Sequence, residues 1–127
     1  MELIVCSDEL IERVIGAAIE VHRVLGPGLL ESIYERALMI ELADRGIAAR
    51  NQVEVPASYK GRDLGVGFRA DILVEESLVV EVKACSQFEP IHMAQTMSHQ
   101  NQLHFKRGLL INFHARLLKD GIQRISI

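Results

Sequence analysis

Phe68-Arg69-Ala70-Asp71-Ile72-Leu73-Val74 and Leu78-Val79-Val80-Glu81-Val82-Lys83 decide how the chain is read. Both runs are rich in β-branched and large apolar residues, and Glu75-Glu76-Ser77 between them reads as a short turn, so the pair predicts a β-hairpin. Side chains alternate faces along a strand. Ala70, Ile72 and Val74 therefore share one face, and Arg69, Asp71 and Leu73 the other. On the second strand Leu78, Val80 and Val82 lie together, opposite Val79, Glu81 and Lys83. A register centred on Glu76 matches the apolar faces and sets Asp71 across from Glu81. A slip of one residue would drop Asp71 among the valines. Directly opposed residues lie about 5 Å apart, and like charges there repel. A divalent cation is the simplest compensation, because Mg²⁺ prefers carboxylate oxygens. The alternative is a solvated hairpin face on which Lys83 offsets one carboxylate, a common arrangement on an open sheet.

The flanking sequence supplies the other elements. Ser7 is a good N-cap, with Asp8 and Glu9 in a first turn where the helix dipole favours acids. Ile11, Val14, Ile15, Ala18, His22 and Leu25 follow at helical spacing, and Gly26-Pro27-Gly28 ends that helix. Leu30, Ile33, Tyr34, Ala37, Leu38 and Leu42 form the stripe of a second helix, with Gly46 as its C-terminal glycine. Arg50 to Tyr59 reads as a strand whose Pro56 predicts an edge position or a bulge. Lys60-Gly61-Arg62-Asp63 turns the chain into the hairpin. Pro90 opens a third helix expected to run to about Phe105. Gly108-Leu109-Leu110-Ile111-Asn112-Phe113 reads as a buried strand. Lys119-Asp120-Gly121 is a turn, and Ile122 to Ile127 a last strand.

Composition narrows the classes. With 127 residues, 49% hydrophobic and 24% charged, the chain is expected to form one domain, residues 1–127, with a core of its own. A net charge of −3 gives no global basic field for holding nucleic acid. Such contacts would have to be local or assisted by a metal ion. Cys6 and Cys85 have no ligand spacing and no secretion signal ahead of them, so reduced thiols and a cytoplasmic location are expected. No apolar run reaches the roughly 18 residues of a membrane span.

Gly28-Leu29-Leu30-Glu31-Ser32-Ile33-Tyr34 has the Gly-x-x-Glu-x-x-Tyr pattern of the GxxExxY proteins, which are assigned to the PD-(D/E)XK nuclease superfamily. The chain resembles that family over nearly its whole length. The resemblance includes Tyr59-Lys60-Gly61, Phe68-Arg69-Ala70-Asp71, Glu81-Val82-Lys83-Ala84, Gln95 and Leu109-Leu110-Ile111-Asn112-Phe113. It implies an α/β fold with a restriction-endonuclease-like core, a mixed β-sheet flanked by α-helices, and a site at the hairpin. Carried over by position, Asp71 and Glu81 resemble the metal-binding acids and Lys83 the catalytic lysine. Glu31 resembles an additional acid from the first core helix, and Gln95 the glutamine on the following helix. Some relatives place a tyrosine four residues after that glutamine, where this chain has His99. Ala70 stands where the superfamily's name has proline, a residue that does no chemistry.

The implied activity is Mg²⁺- or Mn²⁺-dependent hydrolysis of nucleic-acid phosphodiesters, with DNA expected over RNA. Asp71 and Glu81 would hold the ion, with the Val82 carbonyl and waters completing an octahedron. Lys83, two residues from Glu81 on the same face, suits an electrostatic role better than that of a general base, because nearby acids oppose the pKa depression a base needs. Glu31 also fits its helix terminus without any site. Tyr34, a turn further along, reads as a packing residue with its hydroxyl hydrogen-bonded nearby. His92, Gln95 and His99 form one polar stripe, an ordinary helix face or a backbone- or base-contacting surface. Lys60, Arg62 and Arg69 would add phosphate contacts, although a solvated turn explains the first two equally well. The competing reading is a catalytically silent nucleic-acid- or protein-binding adaptor of the same fold. A small-molecule binder has no phosphate loop behind it. The acidic balance leaves a homodimer or a protein partner as a source of substrate recognition.

Overall fold

The computed structural model describes residues 2–127. Two helices, α1 (Asp8–Leu25) and α2 (Glu31–Asp44), precede the strands β1 (Ala49–Tyr59), β2 (Arg62–Val74) and β3 (Leu78–Lys83). Helix α3 (Pro90–Leu103) then leads to β4 (Arg107–Asn112), a 3₁₀ turn (Leu118–Gly121) and β5 (Ile122–Ser126). The five strands form one sheet in the order β1-β2-β3-β4-β5. β3 and β4 pair in parallel and the other neighbours antiparallel. A parallel pair needs a long crossover, and α3 provides it. The fold is thus α/β with a mixed sheet flanked by helices, as expected.

Local chemistry sets the boundaries. The Ser7 side chain accepts a hydrogen bond from the Leu10 N–H at 3.1 Å and caps α1. Gly46, with φ at 73°, turns the chain away just past the end of α2. Lys60 and Gly61, with φ of 49° and 76°, make the tight left-handed turn between β1 and β2, which suits the twist of paired strands. Pro56 lies in a strand at the sheet edge, and the ladder shifts register on both sides of it, so both consequences expected of the proline occur. Helix α3 ends two residues earlier than predicted, at Leu103, because His104 takes a left-handed conformation.

Helices α1 and α2 cover one face of the sheet. Ile11, Val14, Ala18, Tyr34, Leu38 and Leu42 pack there with Ile72, Val74, Val80, Val82, Leu109 and Ile111. Tyr34 stacks on Phe113 with ring centres 4.8 Å apart. Its hydroxyl donates to the Gly26 carbonyl at 2.5 Å and accepts from the Leu29 N–H at 3.0 Å, latching the α1–α2 turn. Helix α3 lies on the opposite face, where Val55, Ala70, Leu73, Val79 and Phe105 form a smaller cluster joined by Leu103. Leu78 to Val82 are consequently all buried. The alternative of an open, solvated hairpin face does not hold, because helices shield both sides of the sheet.

Candidate active site at the splayed hairpin

The β2–β3 ladder has the expected register, with Ile72 opposite Val80, Leu73 opposite Val79 and Val74 opposite Leu78. Extended one step, that register opposes Asp71 and Glu81. The ladder, however, ends at Ile72. Beyond it the Val82 N–H donates to Asp71 Oδ2 at 2.8 Å, so a carboxylate stands where a strand carbonyl would continue the sheet. On the other side of β2 the β1 ladder skips a rung between Asn51–Ile72 and Val53–Ala70. Gln52, at that rung, has φ at 51°, a conformation costly for a residue with a Cβ. This double interruption breaks the side-chain alternation. Ala70, expected beside Ile72 and Val74, instead joins Leu73, Val79 and Phe105 in the cluster under α3.

The break opens a cleft of about 520 Å³ between the hairpin and the start of α2. Glu31, Ser32, Glu35 and Arg36 line it from the helix, Asn51 and Gln52 from β1, and Asp71 and Val82 from the splayed pair. Glu31 is the first residue of α2. Glu35, one turn later, accepts from Gln52 Nε2 at 2.7 Å and from Asn51 Nδ2 at 3.2 Å. These bonds hold the left-handed Gln52 in place.

Burial is the main cause that pushes the Asp71 carboxyl up to about 7, and the charge of Glu81 adds to it. Glu35 contributes in the same direction, while the Val82 N–H opposes the shift. Hydrogen bonding with the Glu81 side chain pushes the Asp71 carboxyl in the same upward direction. Glu81 is thus a close neighbour of Asp71, and its charge stands second to burial among the causes of the shift. Glu81 itself is buried and turned toward α3, where its Oε1 lies 2.5 Å from His99 Nδ1.

Among the candidates taken from the sequence, Glu31, Asp71 and Val82 line one cleft, while Glu81 is buried beside Asp71 and does not line it. Val82 in extended conformation turns its carbonyl to the same side as its N–H, toward the gap beside Asp71. Lys83 ends β3 opposite Asn112 and forms no ion pair among the described residues. The Cys85 thiol just beyond it is pushed up by burial and by the charge of Glu31, while the charge of Lys83 opposes the shift. Gln95 is not brought to the cleft. It lines a separate groove on the α3 side with Phe68, Ser98, His99 and Gln102. His92 does not share that groove, because its ring accepts from the Glu89 N–H and completes the cap of α3. Arg69 is paired with Glu54 across the β1–β2 ladder, and Lys60 lies over the Tyr59 ring.

Sequence reading missed Glu35, Asn51, Gln52 and the contact of His99 with Glu81. Glu35 had a signal, since it stands four residues after Glu31 and so shares its helix face. Gln52 had none, because a left-handed residue inside a strand follows from the packing around it.

Among the described residues no three or more His, Cys, Asp or Glu side chains converge as a closed ligand set. No helix is long and apolar enough to cross a membrane. A family model described as the PD-(D/E)XK nuclease superfamily matches residues 8–125. The mixed five-stranded sheet with three helices is consistent with the restriction-endonuclease-like fold of that superfamily. The chain belongs to the PD-(D/E)XK nuclease superfamily. No curated protein and no solved structure matches it.

Proposed function

We propose that this chain, as a single domain, hydrolyses phosphodiester bonds of nucleic acid, DNA in preference to RNA, with Mg²⁺ or Mn²⁺ as cofactor. One observation carries the reading. Asp71 lines a polar cleft beside Glu81, and burial, with the Glu81 charge adding to it, pushes its carboxyl up to about 7. A site that needs a cation to keep both acids ionised fits a divalent ion, as two carboxylates and a backbone carbonyl are a donor set that Mg²⁺ accepts while keeping several waters. Three or more converging side chains are not required for such an ion.

Asp71, Glu81 and the Val82 carbonyl would hold the metal, with Glu31 facing the same cleft. The bound ion would supply activation of water and neutralisation of charge on the phosphate. Lys83 carries a positive charge at the strand end, and its part is to orient the attacking water or to neutralise a phosphate oxygen. The Val82 N–H fixes one Asp71 oxygen, and the Glu35–Gln52 bond keeps β1 clear of Asp71, so the acid need not reorganise when substrate arrives. Gln95, which lines the α3-side groove together with His99, would contact substrate rather than the ion. The Gly28, Glu31 and Tyr34 pattern supports membership of the GxxExxY family, and the free cysteines suit a cytoplasmic protein.

The test is incubation of the purified chain with single- and double-stranded DNA and RNA in Mg²⁺, Mn²⁺ or EDTA. Cleavage that needs either ion and disappears in Glu81→Gln supports the nuclease. Inertness under every condition, with a copurifying protein that still binds Lys83→Ala and Glu81→Gln, supports the adaptor instead.

A further inference from the structure

Glu81 does not stand free to turn toward the cleft. Its side chain is only 7% exposed, and Oε1 is 2.5 Å from Nδ1 of His99, itself 19% exposed. An ionised carboxylate can only accept, so the ring nitrogen is the donor and the tautomer of His99 is set. The ring is fixed in turn. It stacks on Phe68 with centres 3.9 Å apart and planes within 3°. The next residue, Gln100, is fully buried and donates from Nε2 to the carbonyls of Lys106 and Ile125. That anchors α3 on β5 and on the residue that precedes β4, at the turn that carries His99.

We propose that His99 is a positioning residue for Glu81: it ties one carboxylate oxygen to α3 and leaves the other for Asp71 and the metal ion. The proposal rests on the metal-site reading given above. A carboxylate's final torsion is broad and roughly two-fold, so an unheld Glu81 would sample orientations that do not meet Asp71. The Phe68 stack stops the imidazole from following such a rotation. The position where some relatives have tyrosine thus carries a side chain that reaches a site acid rather than the solvent.

The experiment compares wild type, His99→Phe and His99→Asn. Phenylalanine keeps a ring against Phe68 but has no donor, while the asparagine amide offers a donor at about the reach of Nδ1. Free Mn²⁺ is titrated by electron paramagnetic resonance, and each variant is melted in EDTA to record folding. His99→Phe should bind Mn²⁺ about 10- to 100-fold more weakly, the usual scale for losing a group that orients a metal ligand, and His99→Asn should return to within about threefold of wild type. If His99→Phe does not fold, His99→Leu serves as the donorless variant. A donorless variant with a lower melting temperature but wild-type Mn²⁺ affinity would make His99 merely structural and overturn the proposal. Equal loss in the asparagine variant would overturn it as well. Wild type that takes up no Mn²⁺ would overturn the metal site and this proposal together, whereas the first two results leave the metal site standing.

Discussion

Burial and the neighbouring Glu81 carboxylate raise Asp71 to about 7 from an ordinary 3.8. Between those values the native chain holds a proton that the unfolded chain has released. The stability this contributes is fully present below about pH 3.8 and is lost as pH rises through about 7. Asp71→Asn cannot ionise and escapes that loss. In EDTA at pH 8 its melting temperature should exceed that of wild type by about 4 °C or more, roughly what 1 kcal/mol is worth at this size. At pH 4 the difference should nearly vanish, and a margin independent of pH would show that Asp71 is not the destabilised acid. Added Mn²⁺ should reverse the order at pH 8, since a ligand that binds only the folded state stabilises it. Lys83 separates from the acids in a second measurement. Lys83→Ala should keep Mn²⁺ binding while single-turnover cleavage slows by about a hundredfold, the scale of losing one electrostatic stabiliser. Unchanged cleavage would mean that another group supplies the charge.

The elements hold these residues through a few close approaches. A Cβ at Gly108 in β4 would lie 2.7 Å from Gln100 Oε1, and Gln100 is fully buried with its amide held by two carbonyls. Neither side can yield cheaply. Gly108→Ala should therefore destabilise by about 1–3 kcal/mol, seen as a lower urea midpoint with unchanged slope. Adding Gln100→Ala should restore part of the loss but not all, because the Lys106 and Ile125 carbonyls would then lack their donor. Full additivity of the two substitutions would place Gln100 away from Gly108. The hairpin turn shows how local preference yields to context. Glu75 and Glu76 both have left-handed φ, of 51° and 50°, in a turn where glycine or asparagine is usual. Glu75 accepts from the Ala48 N–H, and Glu76 pairs with Arg50 at 2.6 Å. Those contacts come from β1 and the residue before it, so the turn's existence was legible in the sequence and its conformation was not.

For the whole molecule, a net charge of −3 and a cleft with Glu31, Glu35 and Asp71 on its walls should repel a phosphate backbone until a cation is present. Affinity of Lys83→Ala for DNA should thus rise at least about tenfold when Mn²⁺ replaces EDTA at fixed ionic strength, the reverse of ordinary salt screening. A filter-binding or anisotropy titration measures this. Tight binding in EDTA would shift recognition to Lys60 and Arg62 at the β1–β2 turn.

Alternating hydrophobicity, capping residues and punctuating glycines and prolines are written along the chain. From them the order of elements, the hairpin register and the meeting of Asp71 with Glu81 could be read, since each depends on neighbours in sequence or on burying one face. The Gly-x-x-Glu-x-x-Tyr run likewise put Glu31 at a helix start. Contacts between distant segments decided the rest. The strained Gln52 follows from Glu35 reaching across from α2, the splaying of β2 from β3 follows from an Asp71 oxygen taking the Val82 N–H, and the separation of Gln95 from the cleft follows from the way α3 crosses the sheet. His99 came to Glu81 by the same crossing. A sequence specifies which side chains can bond. Which of them do so is settled by the packing of helices on both faces, which brings residues 17 and 18 positions apart within 3 Å.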